Sequence, residues 1–218
     1  TLGKYLELDN ADGDPNGQYA QIPAGVVDYE DITVSAWVYP KGGSNWGRLF
    51  DFGSADNDYM FLAPDNCAGG LRFAITTAGI GGEQALTTTW LPWGMWSCVT
   101  VTLNGNTGRL YVNGELVTTS TTMTIDPLDI GAVLNYIGKS FFDIDPEFNG
   151  LIDELKIYNY ARTTEQVAQD YLDVQGDYVC NRQVEGLDYD FNGNCLVDLA
   201  DFAMFAETWL DTIRIYPD

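Results

Sequence analysis

Side chains that carry oxygen recur near the C terminus with the spacing of a calcium-binding loop. The loop positions one, three, five, seven, nine and twelve are Asp190, Asn192, Asn194, Leu196 (through its carbonyl), Asp198 and Asp201. This alternation points successive oxygen ligands toward one hard cation. The segment therefore predicts one bound Ca²⁺ ion. The alternative is an acidic helix start without an ion, in which Asp198 caps the helix that follows.

The four cysteines, at positions 67, 98, 180 and 195, allow three pairings and are consistent with secretion. The segment from residue 176 to the end has only about 40 residues, fewer than a hydrophobic core alone usually stabilises. We therefore predict a Cys180–Cys195 disulfide, worth about 3 kcal/mol by the chain-entropy estimate. For Cys67 and Cys98, a second disulfide and burial of Cys98 as a small hydrophobic residue are equal alternatives.

The sequence contains no histidine. This excludes catalysis by a Ser-His-Asp triad or by a Cys-His pair. Glycoside hydrolysis needs only two carboxylates at a fixed separation. A glycoside hydrolase therefore stays an alternative, and a noncatalytic binding protein fits the sequence better.

Three aromatic residues are candidates for contact with a sugar, whose apolar C–H face can stack on an exposed ring. Trp46 and Trp93 lie in turn-rich segments, where a side chain is less often needed for core packing. Tyr59 alternates with Phe61 on one predicted strand, where the two rings would line a groove. The alternative for Trp46, for Trp90 and also for Trp93 is that the ring covers an edge of the fold.

The charge of the chain limits its partners. Thirty-two acidic and ten basic residues give a net charge of −22, which argues against nucleic acid and against an anionic membrane. A neutral glycan would not be repelled. No apolar run reaches the roughly 18 residues that cross a bilayer. The chain begins at Thr1 without a visible signal peptide, so we expect a processed or excised piece of a longer protein.

Short alternating runs separated by turns predict an all-β fold, an antiparallel sandwich with a short C-terminal helix. Asn113-Gly114 is a hairpin signal because both residues accept positive φ. Thr163 and Gln166 have the spacing of a capping box, so a helix should start there and dock on the sandwich. Its end near Gln175 separates a first domain, residues 1–175, from a small loop-helix module, residues 176–218.

The stretch from Asn149 to Tyr160 closes the first domain as a strand. Simple alternation places Leu151, Asp153 and Leu155 on one face, which we expect to be the core face. A carboxylate there must be bonded to backbone N–H groups or to a metal. Asp153 is therefore predicted to be buried and paired.

This closing stretch together with the residues up to Val167, NGLIDELKIYNYARTTEQV, resembles the last segment of laminin G-like domains in the concanavalin A-like lectin and glucanase superfamily. Further segments match in the same order: YLELDN, ITVSAWVYP, GRLFDFG, WSCVTVTLNGNTGRLYVNGELV and NYIGKS. The resemblance implies a jelly-roll sandwich. Laminarinase-like hydrolases share that fold but carry an E-x-D-x-x-E motif, which this sequence lacks.

The calcium loop and the helix after it resemble one repeat of a dockerin, the module that anchors secreted polysaccharide-degrading enzymes to cohesins. Cys195 stands where a dockerin has glycine, and no second repeat is visible. The resemblances together imply a noncatalytic carbohydrate-binding module of a larger secreted protein that acts on polysaccharides, with a dockerin-like anchoring end. The alternative is an extracellular adhesion module with a protein partner.

Overall fold

The computed structural model describes residues 3–10, 17–42, 45–175 and 202–205. The strands in chain order are β1 (Leu6–Leu8), β2 (Ala20–Ile22), β3 (Ile32–Pro40), β4 (Phe50–Gly53), β5 (Tyr59–Ala63), β6 (Arg72–Thr76), β7 (Gln84–Thr87), β8 (Ser97–Asn104), β9 (Thr107–Val112), β10 (Glu115–Ser120), β11 (Leu134–Ile137) and β12 (Gly150–Tyr158). A 3-10 turn spans Ile80–Gly82, and helix α1 spans Thr164–Gln175.

These strands form two six-stranded antiparallel sheets, which enclose one core. Sheet I has the order β1-β12-β3-β8-β9-β10, and sheet II has the order β2-β11-β4-β5-β6-β7. Alternate side chains of β3, such as Val34 and Val38, meet Phe52 and Met60 of sheet II in the core. This period of two is why the sequence forms a sandwich. The predicted all-β architecture with one short helix is confirmed, and the order of the strands is consistent with a jelly-roll.

Strand β12 contains a bulge. Its register with β3 shifts between Asp153 and Lys156, where two residues of β12 stand opposite one residue of β3. Glu154 has a φ of 50° there, and the extra residue changes the phase of the alternation within the strand. Ile152 and Leu155 therefore both pack on the core, although they are three positions apart.

The bulge corrects the prediction for Asp153. This residue lies opposite Trp37, on the outer face of sheet I, and is only partly buried. Its two carboxylate oxygens accept hydrogen bonds from the backbone N–H of Gly3, at 3.1 Å, and of Glu154, at 2.8 Å. The expectation that Asp153 is bonded to backbone donors is confirmed, and the expectation that it is buried on the core face is wrong.

Helix α1 covers the outer face of sheet I, as its apolar positions predicted. Thr163 and Gln166 form the capping box, because each side chain accepts a hydrogen bond from the other residue's backbone N–H. Val167 is buried, and the ring of Tyr171 stacks on Trp37 with 5.3 Å between centroids. Among the described residues, no helix covers the outer face of sheet II.

The hairpin between β9 and β10 forms as predicted. Val112 pairs with Glu115, and the two turn residues between them, Asn113 and Gly114, have φ values of 53° and 79°.

Both cysteines in the described part of the chain are free thiols. Cys67 is exposed, whereas Cys98 is buried in sheet I, where burial raises the pKa of its thiol to about 11. Of the two alternatives for Cys98, the structure shows burial as a small hydrophobic residue. The predicted Cys180–Cys195 disulfide lies outside the described residues and stays a prediction.

No helix among the described residues is long and apolar enough to cross a bilayer.

Candidate functional site

The outer face of sheet II carries a pocket of about 300 Å³. We call it the outer-face pocket; its lining residues are Trp46, Arg48, Ile80, Glu83, Phe142, Ile144 and Asp145. The pocket lies over a second, smaller apolar cluster that includes Tyr59 and Phe61 of β5. These two rings lie on the outer side of the strand, because the alternate residues Met60 and Leu62 face the core.

Arg48 is the central charge of this pocket, although only 3% of its surface is exposed. Its guanidinium carbon lies 3.4 Å from the centre of the Phe61 ring, a cation–π arrangement. Nη2 donates to Oδ2 of Asp145 at 3.0 Å. Nε and Nη1 have no hydrogen-bond partner. A guanidinium carries five N–H donors in a fixed fork, so this one keeps unused donor capacity at the pocket.

Asp51 lies beneath Arg48 and is completely buried. One carboxylate oxygen lies 3.9 Å from Nε of Arg48 and accepts a hydrogen bond from the backbone N–H of Phe141 at 3.1 Å. Burial raises the pKa of this carboxyl to about 8, because desolvation outweighs the attraction of Arg48. Asp51 is therefore mostly protonated at pH 7.

Glu83 also lines the pocket, and two side chains hold its carboxylate. The Tyr59 hydroxyl donates to Oε1 at 2.7 Å, and Nη2 of Arg72 donates to Oε2 at 2.6 Å. Burial, followed by the bond to Glu83, raises the pKa of the Tyr59 hydroxyl. These bonds fix the direction of the carboxylate before any ligand arrives.

Two of the three predicted ligand-binding residues meet at this pocket, but in different roles. Trp46 lines it directly, with its ring packed edge-on against Phe61. Tyr59 has no exposed surface, and the edge of its ring packs against Phe142. In this structure the ring supports the floor of the pocket and orients Glu83, and contact of Tyr59 with a ligand stays a prediction.

Sequence reasoning missed the charged residues of the pocket, Arg48, Glu83 and Asp145. One signal was present: every residue of β5, YMFLA, is apolar and every one is buried. A strand that is apolar in both phases must be covered on both faces. That pattern predicts a covered outer face on sheet II, without saying which loops cover it.

Trp93, the third predicted residue, lies in a separate depression at one end of the sandwich. We call it the tryptophan cleft; it has a volume of about 640 Å³, and its lining residues are Asp65, Cys67, Ala68, Gly69, Trp90 and Trp93. Trp90 is 64% exposed and Trp93 is 56% exposed. The cleft thus presents two indole rings to solvent.

The predicted calcium ligands, Asp190, Asn192, Asn194, Leu196, Asp198 and Asp201, lie outside the described residues. Residues 202–205, which follow the predicted loop directly, are helical. Within the described ranges no three His, Cys, Asp or Glu side chains are grouped so that they could hold a metal ion. The calcium site therefore stays a prediction.

Comparison with known proteins places residues 13–168 in a family described as the concanavalin A-like lectin/glucanases superfamily. An alpha-L-arabinofuranosidase of Bifidobacterium longum subsp. longum is 26% identical over 156 residues, which is 71% of this chain and 14% of that enzyme. The chain thus spans a small part of this relative.

Solved domains with a similar fold include one from an arabinanase and one from a sialidase. Domain 4 of AbnA, an extracellular GH43 arabinanase from Geobacillus stearothermophilus in complex with arabinotriose, has a TM-score of 0.61 at 23% identity, over 78% of this chain and 81% of that chain. The CBM40 domain of the Ruminococcus gnavus IT-sialidase, bound to α2,3-sialyllactose, has a TM-score of 0.57 at 16% identity, over 69% of this chain and 94% of that chain.

Proposed function

Because the chain belongs to the concanavalin A-like lectin/glucanases superfamily, we propose that its sandwich is a noncatalytic carbohydrate-binding module whose outer-face pocket holds the sugar. The observation that carries the proposal is Arg48, a buried guanidinium with two unbonded nitrogens at a pocket walled by aromatic rings and carboxylates. Buried donors without partners are rare, and a ligand oxygen would satisfy them.

The chemistry of the pocket suits a neutral sugar. Glu83 and Asp145 offer acceptors for hydroxyl groups, while Trp46 and Phe142 offer apolar surface for the C–H face of a ring. The arginine charges of Arg48 and Arg72 balance these two carboxylates, and Asp51 is mostly neutral. A volume of about 300 Å³ lies at the small end of ligand pockets, which favours one or two sugar residues.

The similar proteins support a glycan and suggest which one to try first. One similar domain holds arabinotriose, another holds sialyllactose, and the relative that matches by sequence is an arabinofuranosidase. We take arabinan as the first probe. By the same analogy, we propose that the module belongs to a larger secreted protein that acts on polysaccharides.

A catalytic role fits the pocket less well. The carboxyl with the raised pKa, Asp51, is completely buried beneath Arg48 and cannot reach a glycosidic oxygen. Glu83 and Asp145 are each tied to an arginine, an arrangement that suits holding a ligand. A protein partner is the second candidate, because Ile80 and Ile144 at the rim are 69% and 92% exposed.

We further propose that residues 176–218 form a dockerin-like, calcium-binding anchoring module with a cohesin-like partner. The support is the spacing of the oxygen ligands in the sequence together with the helical backbone of residues 202–205.

The first test replaces Arg48 by Met, which keeps a long unbranched side chain at this position but removes the guanidinium and every donor. Isothermal titration with arabinotriose and with arabinan should show at least about a tenfold loss of affinity, since a buried charged donor is removed. Arg109→Met is the matched control, because Arg109 lies on β9 of sheet I, away from the pocket. If Arg48→Met stays folded and binds as tightly as the parent, the outer-face pocket is not the sugar site.

A further inference from the structure

We propose that the tryptophan cleft is a second sugar subsite, which takes a neutral sugar residue of the same glycan by stacking on Trp90 or Trp93. The inference deepens the proposed function and rests on it for the class of ligand. It assigns a role to two large exposed rings that the outer-face pocket leaves unused.

Each indole is held on one side by a glycine. A Cβ atom added at Gly69 would lie 3.0 Å from Cε3 of Trp90, and one added at Gly42 would lie 2.5 Å from Cε3 of Trp93. Both glycines have positive φ, at 78° and 90°, which other residues adopt only under strain. The rings thus pack directly on backbone and leave their remaining surface exposed. A ring held in this way loses little conformational entropy when a ligand stacks on it.

The segment that carries the two rings is anchored between them. It connects β7 to β8, and Leu91 in its middle is 1% exposed. The backbone N–H of Gly94 donates to the Pro40 carbonyl at 2.8 Å, which fastens the segment just after Trp93. The connection between β7 and β8 is therefore fixed to the sandwich on both sides of Trp93, and it holds the two rings at the surface.

The other segment that lines the cleft, residues 65–69, is also held by local hydrogen bonds. The Asp65 carboxylate accepts from the backbone N–H of Cys67 at 3.0 Å. The Asn66 side chain accepts from the backbone N–H groups of Ala68 and Gly70, at 3.0 and 3.1 Å. Asp65 is the one ionisable carboxylate in the lining, and one of its oxygens is used within the loop. The wall offers little charge to attract an ionic ligand, so a neutral ring with hydroxyl groups suits the cleft.

The lining of the cleft is hydrogen-bonded to the lining of the outer-face pocket. The backbone N–H of Trp46, which lines the pocket, donates to the carbonyl of Asp65, which lines the cleft, at 2.8 Å. On this proposal, a glycan seated on Arg48 continues past the Trp46–Asp65 contact toward the exposed indoles. This continuity favours a further residue of the same chain over an unrelated ligand as the occupant.

The test uses the intact chain with five neutral polysaccharides as probes: arabinan, xylan, galactan, β-glucan and levan. The double variant Trp90→Ala, Trp93→Ala should bind the polysaccharide that the parent prefers at least about tenfold more weakly. Its melting temperature should stay near that of the parent, because both rings are mostly exposed. Leu128→Ala is the control; this residue is 52% exposed in the connection between β10 and β11, and its loss should change nothing.

Direct observation of the indole N–H signals by NMR, assigned with single Trp→Phe variants, separates this inference from the proposed function. We expect the Trp90 or Trp93 signal to shift on titration of the parent. Unmoved signals and full affinity in the double variant would overturn the second subsite, while loss of binding in Arg48→Met would still uphold the outer-face pocket. Full affinity in Arg48→Met with shifted indole signals would overturn the pocket and leave the cleft as the site. A parent that binds none of the five polysaccharides overturns both.

Discussion

Arg48 and Asp51 are a buried pair on the outer face of sheet II, and burial keeps the Asp51 carboxyl mostly neutral at pH 7. Asp51 has no exposed surface, and the pKa of its carboxyl rises from 3.8 to about 8 in spite of the neighbouring guanidinium. At neutral pH the pair is thus an arginine cation above a mostly neutral acid. This explains how Arg48 can keep donors free for a ligand, since no carboxylate within 3.5 Å takes up its Nε.

The first residue-scale prediction concerns this proton. Between about pH 4 and about pH 8 the folded chain holds a proton on Asp51 that the unfolded chain has released, so Asp51 makes folding less stable as the pH rises. Asp51→Asn should remove this contribution and keep an acceptor for Phe141. We expect the free energy of unfolding of the parent to fall more steeply than that of Asp51→Asn, by up to about 1.4 kcal/mol per pH unit in this window.

Urea denaturation of both proteins between pH 5 and pH 9 measures the difference directly. Above about pH 8 the two curves should run parallel, because Asp51 is then ionised in both states. Parallel curves over the whole range would contradict a buried neutral acid.

At the scale of elements, the bulge in β12 decides which side chains of the closing strand reach the core. Glu154 has a φ of 50°, which favours glycine, yet a glutamate stands there. Its side chain pairs with Lys156 at 2.9 Å, but both partners are partly exposed, so the pair adds little stability.

The element-scale prediction compares two substitutions at this position. Glu154→Gly and Glu154→Ala both remove the ion pair with Lys156, and only Glu154→Gly removes the backbone strain of the positive φ. The free energy of unfolding of Glu154→Gly should therefore exceed that of Glu154→Ala by about 1 kcal/mol in urea denaturation. At Thr119, in β10 and without positive φ, the order should reverse, since glycine weakens a regular strand. Equal stability of the two Glu154 variants would mean that the positive φ carries no strain.

At the scale of the whole molecule, the sandwich and the C-terminal segment are expected to respond separately to calcium. Replacing Asp190 and Asp201 by Ala should abolish the calcium heat signal in titration calorimetry, because two of the predicted ligands are lost. The melting temperature of the sandwich should not change. Tight calcium binding by this double variant would show that the ion is bound elsewhere.

A second prediction at this scale concerns the thiols. Iodoacetamide should label Cys67 in the folded protein, whereas Cys98 should react only after unfolding, because it is buried and its thiol pKa is raised.

A nonreduced digest should contain the linked Cys180–Cys195 peptides. Alkylation of Cys180 and Cys195 without prior reduction would contradict the disulfide.

Local patterns in the sequence were sufficient for the architecture. Alternation of apolar residues is a property of neighbouring positions, so β3 and β8 could be read directly from their period of two. The Asn113-Gly114 turn and the Thr163–Gln166 capping box also depend on residues within four positions of each other. Each of these predictions is confirmed because the determining interactions are local.

Tertiary structure alone decided the face of Asp153 and the make-up of the outer-face pocket. A bulge is a relation between two strands, and nothing in the alternation of β12 by itself records the extra residue opposite β3. Arg48 and Asp145 are 97 positions apart and meet only because two loops fold over the same sheet face. The sequence shows that the outer face of β5 must be covered, through its unbroken apolar run. Which charges cover it depends on how those loops pack, and packing between distant segments leaves no periodic signal in the sequence.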